Sequence, residues 1–120
     1  SGRIADLYVS MAEFLRHRGG RLIVALQPDL YTTGKALTAE EAGIKRRFHA
    51  RVTDIESVFP RYRADLRRTL LERPPPSLVV MDLQTVLDAH RQPLFIDDCH
   101  FNDDGYRIIA EALKTGIEPR

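Results

Sequence analysis

Two short apolar runs, far apart in the chain, constrain this sequence most. Arg21-Leu-Ile-Val-Ala-Leu-Gln27, ended by Pro28, and the run from Ser77 through Leu78-Val-Val-Met-Asp-Leu83 have strand length and lack polar alternation. Such runs predict strands over 21–27 and 77–83 buried on both faces, as in a parallel sheet. Parallel neighbours need a long crossover, and the intervening sequence supplies a helical one. Thr38-Ala39-Glu40-Glu41 reads as a capping box, in which the Thr38 hydroxyl accepts from the Glu41 amide while Glu41 reaches back. Ile44, Phe48, Val52, Ile55 and Phe59, then Tyr62, Leu66 and Leu70, continue one apolar stripe. Helices therefore cover 39–72, with Pro60 expected to kink or restart them.

The flanks repeat the pattern. Ile4, Leu7, Tyr8, Met11, Phe14 and Leu15 define an amphipathic helix over 3–18, stopped by Gly19-Gly20. Pro74-Pro75-Pro76 forms a stiff spacer, and Gln84 to His90 suits a short helical turn. Ile108, Ile109, Ala112 and Leu113 mark a last helix over 103–115, with Asn102 as N-cap, Asp103 and Asp104 in its first turn and Gly116 as its stop. Helix, strand, helix, strand, helix is the grammar of an α/β layered fold. Doubly wound sheets carry about five strands, so this sheet is incomplete, and the remainder is expected from a missing part or from another chain.

Composition narrows the function classes. Of 120 residues, 43% are hydrophobic and 29% charged, with a net charge of +1, which suits one soluble globular domain or part of one rather than a disordered chain. No apolar run approaches the roughly 20 residues of a membrane-spanning helix. Residues 45–73 carry a local +5 and residues 77–104 a local −5. The basic run lacks the interleaved aromatics of a base-stacking surface and reads as a solvated helix face, so a nucleic-acid partner is not expected. Cys99 is the single cysteine, which excludes an intrachain disulfide and a structural zinc cage built by it alone. Ser1-Gly2-Arg3 lacks the zones of a signal peptide, and localisation stays open.

Chemistry concentrates in the loop over 95–102, Phe-Ile-Asp-Asp-Cys-His-Phe-Asn. Asp97 precedes His100 by three. In a turn, that spacing lets a carboxylate hold the imidazole Nδ1–H and leave Nε2 free as a general base toward a hydroxyl. A capping histidine beside solvated aspartates has the same sequence. A calcium loop overlays His100, Asn102, Asp104, Gly105 and Glu111, but histidine is a poor first ligand for a hard cation and the residues from 103 onward suit a helix better.

The stretch Phe95 to Leu113, with D-x-x-H at Asp97–His100, Gly105 and Ile109-Ala110-Glu111, closely resembles the last block of the SGNH (GDSL-type) hydrolases. Leu26-Gln27-Pro28 and Leu37-Thr38-x-x-Glu41 resemble the region ahead of that block in bacterial members, so the resemblance spans most of residues 1–120. It implies a flavodoxin-like three-layer α/β/α fold of which this chain supplies the C-terminal half, with the last two parallel strands and flanking helices. It also implies an ester hydrolase in which His100 is the catalytic base and Asp97 its orienting acid. Asp98 is the neighbouring rival for the second role. No metal or organic cofactor is implied.

The family's G-D-S nucleophile block and G-x-N-D oxyanion block are absent. Ser1, Ser10, Ser57 and Ser77 stand at a terminus, in two helices and at a strand start. The chain alone is therefore expected to be inactive. Its expected partners are a small-molecule, carbohydrate or lipid ester and the N-terminal half of the fold, or another chain across the sheet edge. A non-catalytic assembly module that keeps half of the fold is the competing expectation.

Overall fold

The computed structural model describes residues 2–49, 55–72 and 74–117, with backbone alone for 55 and 56. Its elements are α1 (Gly2–Arg16), β1 (Leu22–Leu26), α2 (Ala39–His49), α3 (Ile55–Glu72), β2 (Leu78–Asp82) and α4 (Asp103–Ile117). Among the described residues, β1 and β2 form a two-stranded parallel sheet, with Leu22 opposite Leu78 and Leu26 opposite Asp82. The α/β order and the parallel pairing agree with the sequence reading. The expected helix over 50–54, including Val52, lies outside the described residues.

Local signals explain most boundaries. Gly19 adopts a positive φ of 73°, and Gly20 N–H donates to Leu15 C=O while Gly19 N–H donates to Arg16 C=O. That pair of bonds is a Schellman stop, and it needs the left-handed residue that glycine supplies without strain. Thr38 and Glu41 form the capping box in both directions. Asn102 caps α4 through a bond from Gly105 N–H. Pro60 lies inside α3, which runs unbroken through it from Ile55 to Glu72. One expectation fails: α4 does not stop at Gly116, where the missing Cβ makes room for the Met81 side chain beneath the helix.

Among the described residues, the strands are well covered on one side and only partly on the other, short of the expected burial on both. The even-numbered Val24, Leu26 and Leu78 are buried, with Leu22 and Val80 beside them, against Ala5, Ala12, Leu66 and Leu70 of α1 and α3. The odd-numbered residues face the other way. There Met81 meets α4, Ile23 and Val79 are half-buried, and Ala25 is exposed. The radius of gyration, 15.9 Å, exceeds the about 14 Å of a compact chain of this length. The molecule is accordingly flat, 48 × 31 × 18 Å.

The buried face of α1 also differs from expectation. Ala5 and Ala12 are buried, with Tyr8 and Leu15 half-buried, whereas Ile4, Leu7, Met11 and Phe14 are exposed, Leu7 at 57% and Phe14 at 59%. The buried face is turned by one residue, because the helix must approach closely enough for the Ser77 hydroxyl to donate to Ala12 C=O at 2.8 Å. Small side chains permit that approach, and the larger ones are turned outward. A groove of about 380 Å³ borders Ser10, Met11, Phe14 and Leu15 on this outer side.

A second cluster gathers Leu30, Ile44, Leu83, Leu87, Leu94, Phe95, Phe101 and Ile109. Here Gly105 lets α4 settle onto the preceding loop, since a Cβ would stand 2.7 Å from Phe101 Cβ and 3.0 Å from Leu94 O. Gly43, inside α2, has only the ends of the Arg46 and Arg47 side chains nearby. Gly105→Ala is expected to cost about 1–3 kcal/mol by overpacking, and Gly43→Ala to add about 0.5–1 kcal/mol by helix propensity. Urea denaturation of the two variants checks the opposite signs; a shift in the same direction would refute the packing account.

Candidate functional site

Residues 95–102 form a closed turn. Phe95 and Phe101 pair in an antiparallel bridge, and Ile96 N–H donates to His100 C=O at 3.0 Å. The Phe95 and Phe101 rings lie 5.0 Å apart, so the base of the turn is apolar and buried. Asp97 folds back onto the turn, its Oδ1 accepting from the Cys99 amide at 2.9 Å and the His100 amide at 2.7 Å. That arrangement aims the second oxygen. Oδ2 lies 2.7 Å from His100 Nδ1, while the His100 side chain stays 60% exposed. Asp97 and His100 are thus brought together, and Nε2 has no protein partner among the described residues.

Asp98 is not the residue that holds the imidazole. Its carbonyl accepts from Leu30 N–H, just beyond β1, and its carboxylate lies toward the Cys99 thiol. Gln27, at the end of β1, donates from its side chain to Cys99 C=O at 3.3 Å. The turn therefore leans on the carboxyl end of β1, where parallel α/β folds place their ligands. Arg63 of α3 secures that end by donating to Gln27 C=O and Asp29 Oδ2, and Asp29 Oδ1 accepts from the Tyr31 and Thr32 amides. Arg67, one helical turn on, pairs with Asp82 at the end of β2. Arg63, largely buried, is therefore a structural tie, while Arg67 and most of the basic run stay exposed, as a solvated helix face would. A shallow depression of about 460 Å³ bordered by Ile96, Phe101, Asn102, Asp103 and Asp104 adjoins the turn.

The base of the turn has an anchor that the sequence did not announce. The fully buried Glu41 carboxylate accepts at Oε2 from Lys35 Nζ at 2.6 Å and from Thr38 N–H at 2.8 Å. Its Oε1 accepts from Leu94 N–H at 2.8 Å and Phe95 N–H at 3.3 Å. The capping box signals Glu41's first task; nothing signals Lys35 or the reach to Leu94.

Burial tends to raise the Glu41 pKa, but the Leu94 amide, Lys35 and the Thr38 and Phe95 amides together hold it below the ordinary 4.5. Asp97 behaves alike: burial opposes, and the Cys99 and His100 amides with the imidazole hold it below 3.8. Cys99 moves the other way. Burial, then the charges of Asp98 and Asp97, push its thiol up to about 11. A neutral thiol is a weak nucleophile and a weak metal ligand. Asp97, Cys99 and His100 do place three donor atoms within 4.8 Å of one another. Holding a soft cation there would cost the thiol proton and the Asp97–His100 bond. The calcium-type overlay is not a loop, because Asn102 caps α4, Asp104 pairs with Arg107 and the residues from 103 onward are helical.

Two serine hydroxyls are spent on structure, Ser10 on Asp6 C=O and Ser77 on Ala12 C=O, and Ser57 lies in α3. No helix among the described residues is long and apolar enough to cross a membrane. Comparison with protein-family models, with curated proteins and with solved structures gave no match.

Two titration outcomes follow. Glu41 and Asp97 bind protons less tightly folded than unfolded, so their stabilisation is present above their ordinary values and is lost as pH falls through the folded ones. The urea midpoint is expected to drop from neutral pH to about pH 3, less steeply in Glu41→Gln. An equal slope in that variant would contradict the assignment. For Cys99, iodoacetamide is expected to label the native chain at pH 7 more slowly than the urea-unfolded chain; equal rates would contradict the raised thiol pKa.

Proposed function

We propose that this chain is the C-terminal part of an SGNH-type ester hydrolase, contributing the general base His100 and its orienting acid Asp97. The observation that carries the reading is the 2.7 Å contact between Asp97 Oδ2 and His100 Nδ1 in a turn that leaves Nε2 open at the carboxyl end of β1. In this reading a serine on the complementing part attacks the ester carbonyl. His100 Nε2 accepts the serine proton and returns it to the leaving alcohol, and Asp97 stabilises the imidazolium that forms between the two transfers. Donors for the oxyanion come from the same complementing part, whose Gly and Asn blocks this chain lacks. The chemistry needs no metal and no organic cofactor. The substrate is a small-molecule, carbohydrate or lipid ester.

The architecture supports a complementing part. Among the described residues, the partly covered sheet face at Ile23 and Ala25, the outer edge of β1, which no strand pairs, and the exposed stripe of α1 are apolar surfaces that a fuller three-layer α/β/α fold, flavodoxin-like in strand order, would cover. An assembly module without catalysis is the second reading, favoured by those same open surfaces. It leaves the Asp97–His100 geometry without a use.

The test assays the full-length product of the reading frame on an activated short-chain ester. His100→Ala is expected to reduce kcat/KM by about a hundredfold or more, and Asp97→Asn by a comparable factor, with the fold unchanged by circular dichroism. Undiminished turnover in His100→Ala, or a reading frame with no serine nucleophile block, would overturn the hydrolase in favour of the assembly module.

A further inference from the structure

Besides the bond from the Gln27 side chain to Cys99 C=O, two main-chain ties of the turn over 95–102 run to one segment. At its tip, Asp98 C=O accepts from Leu30 N–H at 2.9 Å. At its base, Leu94 N–H and Phe95 N–H donate to Glu41 Oε1. Residues 29–41 therefore hold the turn from both ends, and Phe95 stands only two residues before Asp97. The same segment supplies Lys35, whose ammonium is fully buried against Glu41 Oε2 and also donates to Ala36 C=O at 3.2 Å.

A helix cap does not require this. The bond from Thr38 N–H to a solvated glutamate would complete the box, whereas burying a carboxylate and an ammonium together carries a desolvation cost that an apolar pair would avoid. The acceptor geometry accounts for the charge. Four donors converge on Glu41, two per oxygen, and only a carboxylate presents acceptors on both sides. A glutamine would turn its NH2 toward either Lys35 and Thr38 or Leu94 and Phe95, leaving one pair of donors facing a donor.

We propose that Lys35 and Glu41 are positioning residues, a buried ion pair that sets the place and orientation of the Asp97–His100 pair through the Leu94 and Phe95 amides. The proposal rests on the reading of Asp97 and His100 as acid and base. Neither Lys35 nor Glu41 touches the reacting atoms. Glu41 acts by fixing the first strand of the bridge, Phe95, whose partner Phe101 directly follows His100.

The test reads the His100 ring itself, by nitrogen-15 shifts and proton exchange at Nδ1 in the full chain, so that it does not depend on ester turnover. The native chain is expected to show the Nδ1–H tautomer with a proton protected by Asp97. In Glu41→Gln the exchange is expected to speed up by about tenfold or more, the consequence of an unsatisfied buried donor, while thermal melting stays cooperative. Thr38→Ala removes the hydroxyl half of the cap and keeps both amide bonds at 94 and 95. It should therefore leave the ring signals unchanged. If Glu41→Gln does not fold, Glu41→Asp keeps the charge and withdraws it by one methylene from Leu94 and Phe95, with the same loss expected. Unchanged His100 signals in the folded Glu41 variant, or an equal change in Thr38→Ala, would overturn the positioning role. Asp97→Asn separates the two claims: if it leaves tautomer and exchange untouched, the acid–base reading itself fails.

Discussion

Glu41 is the residue on which the arrangement of this chain turns. Its carboxylate joins a loop that leaves β1, the first turn of α2 and the segment entering the D-x-x-H turn, three pieces that no strand pairing connects. Removing either member of such a buried pair leaves an uncompensated charge, a loss of about 3–5 kcal/mol, a large share of the stability of a small domain. The pair is thus poor as a source of net stability and effective as a determinant of one geometry. Apolar contacts such as those around Leu30, Leu87, Leu94 and Phe101 are non-directional, whereas the four hydrogen bonds to Glu41 have fixed directions.

What could be read from the amino-acid order follows contact range. The Asp97–His100 contact spans three residues, the capping box three, the Asn102 cap three and the Schellman stop five, and each left a local signature. The bond from Leu94 to Glu41 spans 53 residues and that from Gln27 to Cys99 spans 72, and neither has a pattern that spacing could expose. Lys35 is a single lysine in a loop. Burial was harder than element type. In α1 the apolar arc is broader than one stripe, so periodicity identifies a helix without saying which edge meets the body; Ala5 and Ala12 won because the Ser77–Ala12 bond demands closeness. In the strands, an unbroken apolar run permits burial on both faces without requiring it, and Ile23 and Ala25 show the difference.

Charge segregation along the chain also gains a structural meaning. Arg63 and Arg67 lie four apart on α3, and each reaches the carboxyl end of a different strand, one at Gln27 and Asp29, the other at Asp82. Of the two, the Arg67–Asp82 pair joins the basic stretch to the acidic one, while Arg63 finds its carboxylate at Asp29, outside that stretch. Arg63, largely buried, ties a carbonyl and a carboxylate with one guanidinium, a task a lysine point charge performs less well.

The outer edge of β1 carries a last consequence. In a parallel ladder alternate residues bond to one neighbour, and the bonds from Leu22 N–H to Ser77 C=O and from Leu83 N–H to Leu26 C=O assign the even residues of β1 to β2. Ile23 and Ala25 therefore turn their main-chain groups outward, and at the next such position the Gln27 carbonyl is already occupied by Arg63. The open stretch is two rungs long. Main-chain bonds of about 1 kcal/mol each at so few positions give an arbitrary strand little reason to stay. What a neighbour across this edge would have to fit is therefore chiefly the side chains of Ile23, Ala25 and Val79 rather than a long row of main-chain groups.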